Sequence, residues 1–188
     1  MLVKILVAVG LVLSGLAVVV ATRPAAFRVA RSITIDAPPE VPFALVNDFH
    51  EWPVWSPYEK LDPAVTRTFE GPRSGTGAVY AYSGNDKVGT GRITLEKSAA
   101  PSSIALRLDF IKPFTVTNRG SFTFEPQGPG TKVTWAMEGR NNFVFKAFSL
   151  LMDMDKLVGT EFERGLAAMK SAAEQRTASN GHVAAVVH

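Results

Sequence analysis

Three regimes of apolar patterning follow one another along the chain. Residues 2–21, LVKILVAVGLVLSGLAVVVA, are apolar almost without interruption, with Lys4 the sole charge. As a helix, about 20 residues at ~1.5 Å each reach roughly 30 Å, the thickness of a bilayer's hydrocarbon core. Lys4 lies near the end of the run, where its stem can snorkel to the headgroups. The run predicts a single-pass membrane anchor over 1–23. A cleaved signal peptide ending at Val19-Val20-Ala21 is the alternative, although the run is longer than a usual h-region. Basic residues nearly balance across it, Lys4 against Arg23, Arg28 and Arg31, and leave the side of the membrane open.

The second regime has period two. FRVARSITIDAP alternates Val29, Arg31, Ile33 and Ile35 with small or polar residues, which predicts a half-buried strand. Pro38-Pro39-Glu40 opens a short helix, and NDFHEWPVWSPYEKLDP predicts a second short helix or turn around Glu51–Trp55. From about 64 to 140, six short alternating segments are separated by turn signals such as Gly84-Asn85-Asp86 and Gln127-Gly128-Pro129-Gly130. They predict an antiparallel meander, and the first strand brings the sheet to about seven.

Within these strands Val133, Trp135 and Met137 share a face, as do Ile104, Leu106, Leu108 and Phe110, Phe122 and Phe124, and Tyr80 and Tyr82. These faces are expected on the concave side of the sheet. Tyr80, Tyr82 and Trp135 carry polar handles that a buried position must satisfy.

The third regime, about 143 to 175, has the helical period. On a 100° wheel Leu151, Val158, Phe162, Leu166 and Met169 cluster, with Lys156, Glu163, Lys170 and Glu174 opposite. Asp155 falls inside the apolar stripe. A buried, unpaired carboxylate costs several kcal/mol, so Asp155 is either a polar group of a wet cavity or a first-turn residue after a helix break near Met152 capped by Asp153. Gly159 and Gly165 cost the helix about 1 kcal/mol each and predict a close helix–sheet approach. Residues 176–188 lack a usable period and are expected to form a disordered tail.

Charge and candidate chemistry change this picture little. Removing Lys4 and Arg23 from the 20 basic residues leaves 18 against 17 acidic ones, so the part after the anchor is nearly neutral. With no run of Lys or Arg, nothing predicts nucleic-acid binding. Cysteine is absent, and His50 is the sole histidine before the C-terminal tail, so no metal site or cofactor is expected. The glycines of GPRSGTG and GNDKVGTG lie in turns and lack the phosphate-loop spacing, and DMDKLVG departs from a calcium loop at Val158 and Arg164.

The order of elements, and the strings RSITIDAPPEVPFALVNDFHEWPVWSPYEKLDP, GTGAVYAYSGND, VGTGRITLE, LDFIKPF, GTKVTWAMEG and MDMDKLVGTEFERGLAAMK, resemble the SRPBCC superfamily. That superfamily includes START lipid-transfer domains and birch-pollen-type allergens, and the narrower similarity is to its polyketide cyclase/dehydrase and lipid transport group. The resemblance covers about residues 28 to 172. It implies an α+β helix-grip fold over 24–175, with a curved sheet of about seven antiparallel strands wrapped around the long C-terminal helix. It further implies an apolar ligand cavity between helix and sheet.

The candidate ligand-binding residues are Trp52, Trp55, Tyr80, Tyr82, Leu108, Phe110, Trp135, Met137, Met152 and Asp155. Trp52 and Trp55, three apart, share one face of a turn and serve either as a structural plug or as an aromatic box at the cavity mouth. The function expected is a membrane-tethered module that holds a hydrophobic small molecule or lipid. A cyclase- or hydrolase-like enzyme acting through Asp155 or a tyrosine, and a scaffold with a filled interior, are the alternatives.

Overall fold

The computed structural model describes the backbone of residues 1–148, 150 and 153–186, and side chains through Ser179 except those of Ala8, Val12, Leu13, Val144, Phe148 and Met154. An apolar helix, α1 (Leu2–Thr22), leads through Arg23, Pro24 and Ala25 into strand β1 (Ala26–Ile35). Two short helices follow, α2 (Glu40–Asn47) and α3 (Trp52–Trp55), each beginning near a proline that presets the helical φ. The meander comprises β2 (Thr66–Glu70), β3 (Val79–Ser83), β4 (Thr90–Ala99), β5 (Ser103–Lys112), β6 (Val116–Gln127) and β7 (Gly130–Arg140). The chain closes with α4 (Phe143–Phe148) and α5 (Met154–Val186).

All seven strands form one antiparallel sheet in the order β1-β7-β6-β5-β4-β3-β2. Sequence neighbours pair as hairpins from β2 to β7, and β1 returns to the free edge of β7, with Val29 opposite Met137 and Ile33 opposite Val133. The antiparallel sheet of about seven strands expected from the alternation, and the helix-grip architecture implied by the resemblance, are therefore present. Its core lies between the concave face and α5, where Ile35, Leu95, Phe122, Phe124, Val133, Phe162, Leu166 and Met169 are buried. The wheel placed Val158, Phe162, Leu166 and Met169 correctly on the inner face.

One helical boundary follows the sequence reading and one differs from it. The segment from 143 is divided into α4 and α5, with Asp153 as the cap expected for such a break: its Oδ1 accepts from the backbone N–H of Lys156 at 3.0 Å. At the other end α5 continues past residue 175 to Val186, since nothing in RTASNGHVAAV forbids helical backbone even though its apolar period has lapsed.

The close approach implied by two glycines is real. A Cβ at Gly159 would stand 2.0 Å from an Arg31 guanidinium nitrogen, and one at Gly165 would stand 2.8 Å from the Trp135 ring and 2.9 Å from Pro57. Glycine lets α5 lie against β1 and β7 without displacing either side chain.

Candidate functional site

The space between sheet and helix is filled unevenly, for reasons visible strand by strand. Toward one end the concave face carries Phe122 and Phe124 on β6 and Val133 and Trp135 on β7. Trp135 stacks on Phe162 of α5, with centroids 4.0 Å apart, and on Phe122 at 5.1 Å. Trp55 wedges edge-on against both Phe122 and Trp135, at 5.8 and 5.5 Å. Four elements thus contribute rings to one packed stack, and the hollow expected between helix and sheet is found at the opposite end. Protein interiors pack at crystal-like density, and large interlocking rings leave no lipid-sized void.

The segment from Asn47 to Pro63 supplies Trp55 to that stack. Asp48 Oδ1 accepts from the backbone N–H of His50 at 2.9 Å and lies 2.7 Å from its ring Nδ1, which fixes the turn into α3. Trp52 and Trp55 then donate their indole N–H groups to the carbonyls of Val46 (3.1 Å) and Leu45 (2.8 Å) in α2. With those donors satisfied, both rings are 5% exposed or less, as a plug requires. His50 stacks on Phe69 near the surface, with centroids 4.0 Å apart.

The tyrosines are similarly occupied. Tyr80 donates to Glu59 Oε1 at 2.5 Å, and Arg67 Nε donates to Glu59 Oε2 at 2.7 Å, so the buried carboxylate is held from two sides. Burial, and then the Glu59 carboxylate, push the Tyr80 hydroxyl pKa far above its ordinary value. Burial alone pushes Tyr82 up to about 12.

Asp155 lies at the rim, with its side chain 61% exposed, and bonds Arg31 at 2.9 Å. Glu163 completes a bridge to Arg31 Nε at 2.7 Å. The hydrogen bond from Arg31 holds the Asp155 carboxyl below the usual carboxylate range, which is opposite to what a general acid at neutral pH needs. Met152 lies outside the described residues.

At the other end the same concave parity reads differently. Along β6 the inward residues become Gly120 and Asn118, and along β7 they become Met137 and Gly139. Small residues in the place of rings leave an apolar pocket of about 80 Å³ lined by Phe27, Val29, Val116, Asn118, Met137, Asn141, Phe145 and Val158. Leu108, opposite Asn118, and Phe110, opposite Val116, are half-buried beside it. Among the described candidate residues, Met137 alone lines this space.

Asn118 is its unusual member. The side chain is 7% exposed, yet its Oδ1 has no hydrogen-bond partner among the described residues. The amide nitrogen reaches only the thioether of Met137, at 4.0 Å. An unpaired buried amide oxygen costs about 1–3 kcal/mol unless something enters to satisfy it. Gly139 is what admits the amide, since a Cβ there would stand 2.1 Å from Oδ1. The available sequence signal was parity, for Asn118 is the polar member of an inward-facing set with Phe122 and Phe124.

A wider depression of about 410 Å³ lies outside the core, between Val54 and the Ala172, Gln175, Arg176 and Ser179 face of α5. It is open to solvent, and Arg176 on its wall pairs with Glu51 at 2.6 Å, so the smaller and more apolar pocket is the better candidate ligand site.

The sequence profile described as "Polyketide cyclase / dehydrase and lipid transport" matches residues 26–174, which span the sheet and the ordered face of α5. The chain belongs to that family. Among solved structures, this family member is similar to the Aha1 dimer from Colwellia psychrerythraea, at 16% identity and TM-score 0.57, over 79% of this chain and 96% of that one. It is similar to the di-domain ARO/CYC BexL from the BE-7585A biosynthetic pathway, at 18% identity and TM-score 0.59, over 82% of this chain and 52% of that one. It also resembles Ara h 8.0201, at 13% identity and TM-score 0.53, over 82% and 99% of the two chains. At these identities the likeness is one of fold. No match was found among curated proteins.

Proposed function

We propose that the protein is a membrane-tethered binding module that holds the end of a hydrophobic small molecule or lipid in the pocket between β1, β6, β7, α4 and the start of α5. The observation that carries this reading is the pocket itself: six apolar side chains and two asparagines, Asn118 and Asn141, line it. Among the described residues its lining has no titratable side chain, which favours binding over acid–base chemistry in the same space.

The position of the pocket relative to α1 supports the tether. Only Arg23, Pro24 and Ala25 separate α1 from β1, and a residue spans at most about 3.6 Å. Lys146 of α4 donates to the carbonyl of Ala21 at 3.3 Å, and the backbone N–H of Asn141 donates to the carbonyl of Ala25 at 2.7 Å. The pocket end of the sheet is therefore the end beside the anchor. Exposed Ile111, Phe114, Phe143 and Leu157 stand there too, with the Phe114 ring edge-on to Phe145 at 5.6 Å. Apolar side chains in water at the foot of a bilayer-spanning helix suit a rim that meets the membrane, from which apolar ligands partition.

The test is native mass spectrometry of the full chain released from nanodiscs made with a total lipid extract. A retained apolar adduct, lost on substitution of Val158 or Val116 with tryptophan, is expected. Release of the bare chain under all lipid compositions overturns the reading.

A further inference from the structure

The foot of α1 does more than attach the domain, and this inference rests on the membrane tether proposed above. We infer that α4 and the tip of the β5–β6 hairpin seat the domain on the bilayer as a second contact, and that the surface they fit carries anionic headgroups. The height of α4 is fixed by its neighbour. Lys146 donates to the carbonyl of Ala21 in the last turn of α1, and Val20 is the one buried side chain among those described in that helix. At ~1.5 Å per residue, Ala21 lies within about 2 Å of the end of a helix long enough to cross the hydrocarbon core. In a spanning chain α4 therefore stands where acyl chains give way to headgroups.

The hairpin reaches the same level from another part of the chain. β5 ends at Lys112 and β6 begins at Val116, at the end of the sheet where Arg140 of β7 pairs with Ala26 of β1. Phe114 at the hairpin tip meets Phe145 of α4 edge-on, and Ile111, Phe114 and Phe143 are each at least half exposed. Rings that are a liability in water are buried once they enter the headgroup–acyl boundary. Phe145 also lines the pocket, so the docked pose brings the pocket wall to that boundary.

Charge decides which surface fits. Residues 21–25, 110–117 and 139–148 hold Arg23, Lys112, Arg140 and Lys146, and all 17 acidic residues of the chain lie elsewhere. Removing these four from the 20 basic residues leaves 16 against 17, so the positive excess of the chain lies at the anchor end. Arg23, Lys112 and Arg140 are exposed and have no ion-pair partner among the described residues. The flanking carboxylates are engaged: Arg107 holds Asp109 at 2.9 Å, Arg28 holds Glu138 at 2.7 Å, and Asp153 caps α5. The β3–β4 turn beside them carries one charge of each sign, Asp86 and Lys87. Anionic headgroups supply the missing counter-charge within a Debye length of about 10 Å. A second copy of the chain fits worse, because a two-fold contact through this face sets the same cations against each other.

The chain has no cysteine, so Phe114→Cys, Phe143→Cys and Glu125→Cys each carry a single spin label. Glu125 is exposed and lies toward the other end of β6. The full-length variants are placed in nanodiscs of phosphatidylcholine, with or without phosphatidylglycerol, and collisions with dissolved oxygen and with a water-soluble nickel chelate are read by power saturation. In the anionic discs the labels at 114 and 143 should favour oxygen, and the label at 125 should favour nickel. Lys112→Gln and Arg140→Gln should each raise the nickel-accessible share of the 143 label about fivefold, and omitting phosphatidylglycerol should raise it further. Nickel access at 114 and 143 equal to that at 125 overturns the docked pose. Oxygen-favouring labels that respond neither to lipid charge nor to the two substitutions overturn the anionic assignment. Labels shielded from both reagents and broadened by neighbouring labels identify a second copy on this face, and overturn it too. A chain that has lost α1 in its intact mass removes the tether and this inference together. Loss of the apolar adduct alone, with both labels still in the bilayer, ends the ligand reading and upholds the docked pose.

Discussion

Trp135 of β7 and Phe162 of α5 lie face to face, their planes 11° from parallel and their centroids 4.0 Å apart. This contact closes the helix onto the sheet and ends the pocket, because everything beyond it toward Phe124 is packed. Phe162 is 2% exposed, so Phe162→Ala removes a buried ring and opens a cavity that Trp55 and Leu166 cannot fill without shifting. A loss of about 3–5 kcal/mol is expected. Urea denaturation followed by tryptophan fluorescence measures it, and a loss under about 1 kcal/mol would contradict the packing described.

The three tyrosines of the chain, Tyr58, Tyr80 and Tyr82, all have hydroxyls pushed upward, chiefly by burial. A phenol whose folded pKa lies above its unfolded value of about 10 stabilises the fold below that pH and ceases to as pH rises toward the folded value. Absorbance at the tyrosinate band should therefore stay flat through about pH 10 in the native chain. It should rise near pH 12, where Tyr82 titrates, together with loss of tertiary circular dichroism. Ordinary titration centred near pH 10 with the fold intact would show the hydroxyls to be solvated.

Asp155 and Arg31 should prove structural. With its folded pKa depressed by the guanidinium, Asp155 stabilises the fold above its unfolded pKa of about 3.9, and that share vanishes as pH falls through the lower folded value. Thermal melts of the native chain and of Asp155→Asn should differ modestly at pH 7 and converge under strong acid. Ligand retention should be the same in both. Loss of retention in Asp155→Asn with an unchanged melting temperature would return Asp155 to the binding site.

Gly139 gives Asn118 its room. In Gly139→Ala the new methyl meets the amide oxygen and the Phe27 ring, so Asn118 must rotate or the strand must shift. The expected cost is about 1–3 kcal/mol, as for other overpacked interiors. Urea denaturation measures it, and an unchanged midpoint would contradict the close packing of Gly139 against the Asn118 amide.

The proposed tether makes a prediction of its own. The full chain should stay with membranes through carbonate extraction, and its intact mass should include α1. Leu11→Asp with Leu16→Asp, at about 2.5–3.5 kcal/mol each near the middle of a span, should move it to the supernatant. A mature chain that begins after Ala21 would instead identify a cleaved signal peptide.

Much of the fold was legible because the information is local. Alternation along GRITLEK or TKVTWAMEGR reflects two faces of one strand, and the period from Val158 to Met169 reflects one helix lying on a core. The apolar run over 2–21 needs no partner to be read. Asp155 was different. Its place in the apolar stripe looked anomalous until β1 brought Arg31 to within 2.9 Å, across more than a hundred residues of chain.

The proposed binding site was the least legible part, because a cavity is a small difference between large volumes supplied from far apart. Trp55, Phe122, Trp135 and Phe162 look alike as pocket-lining aromatics in sequence, and tertiary packing made them a solid stack. Gly120, Gly139 and Asn118 are unremarkable one by one. Sequence by itself determined the strands, the helices and the apolar lead segment, since each depends on residues within a few positions of one another. Where rings interlock and where a void is left depends on side chains that meet only after the sheet has closed over its helix, and the tertiary structure alone decided that.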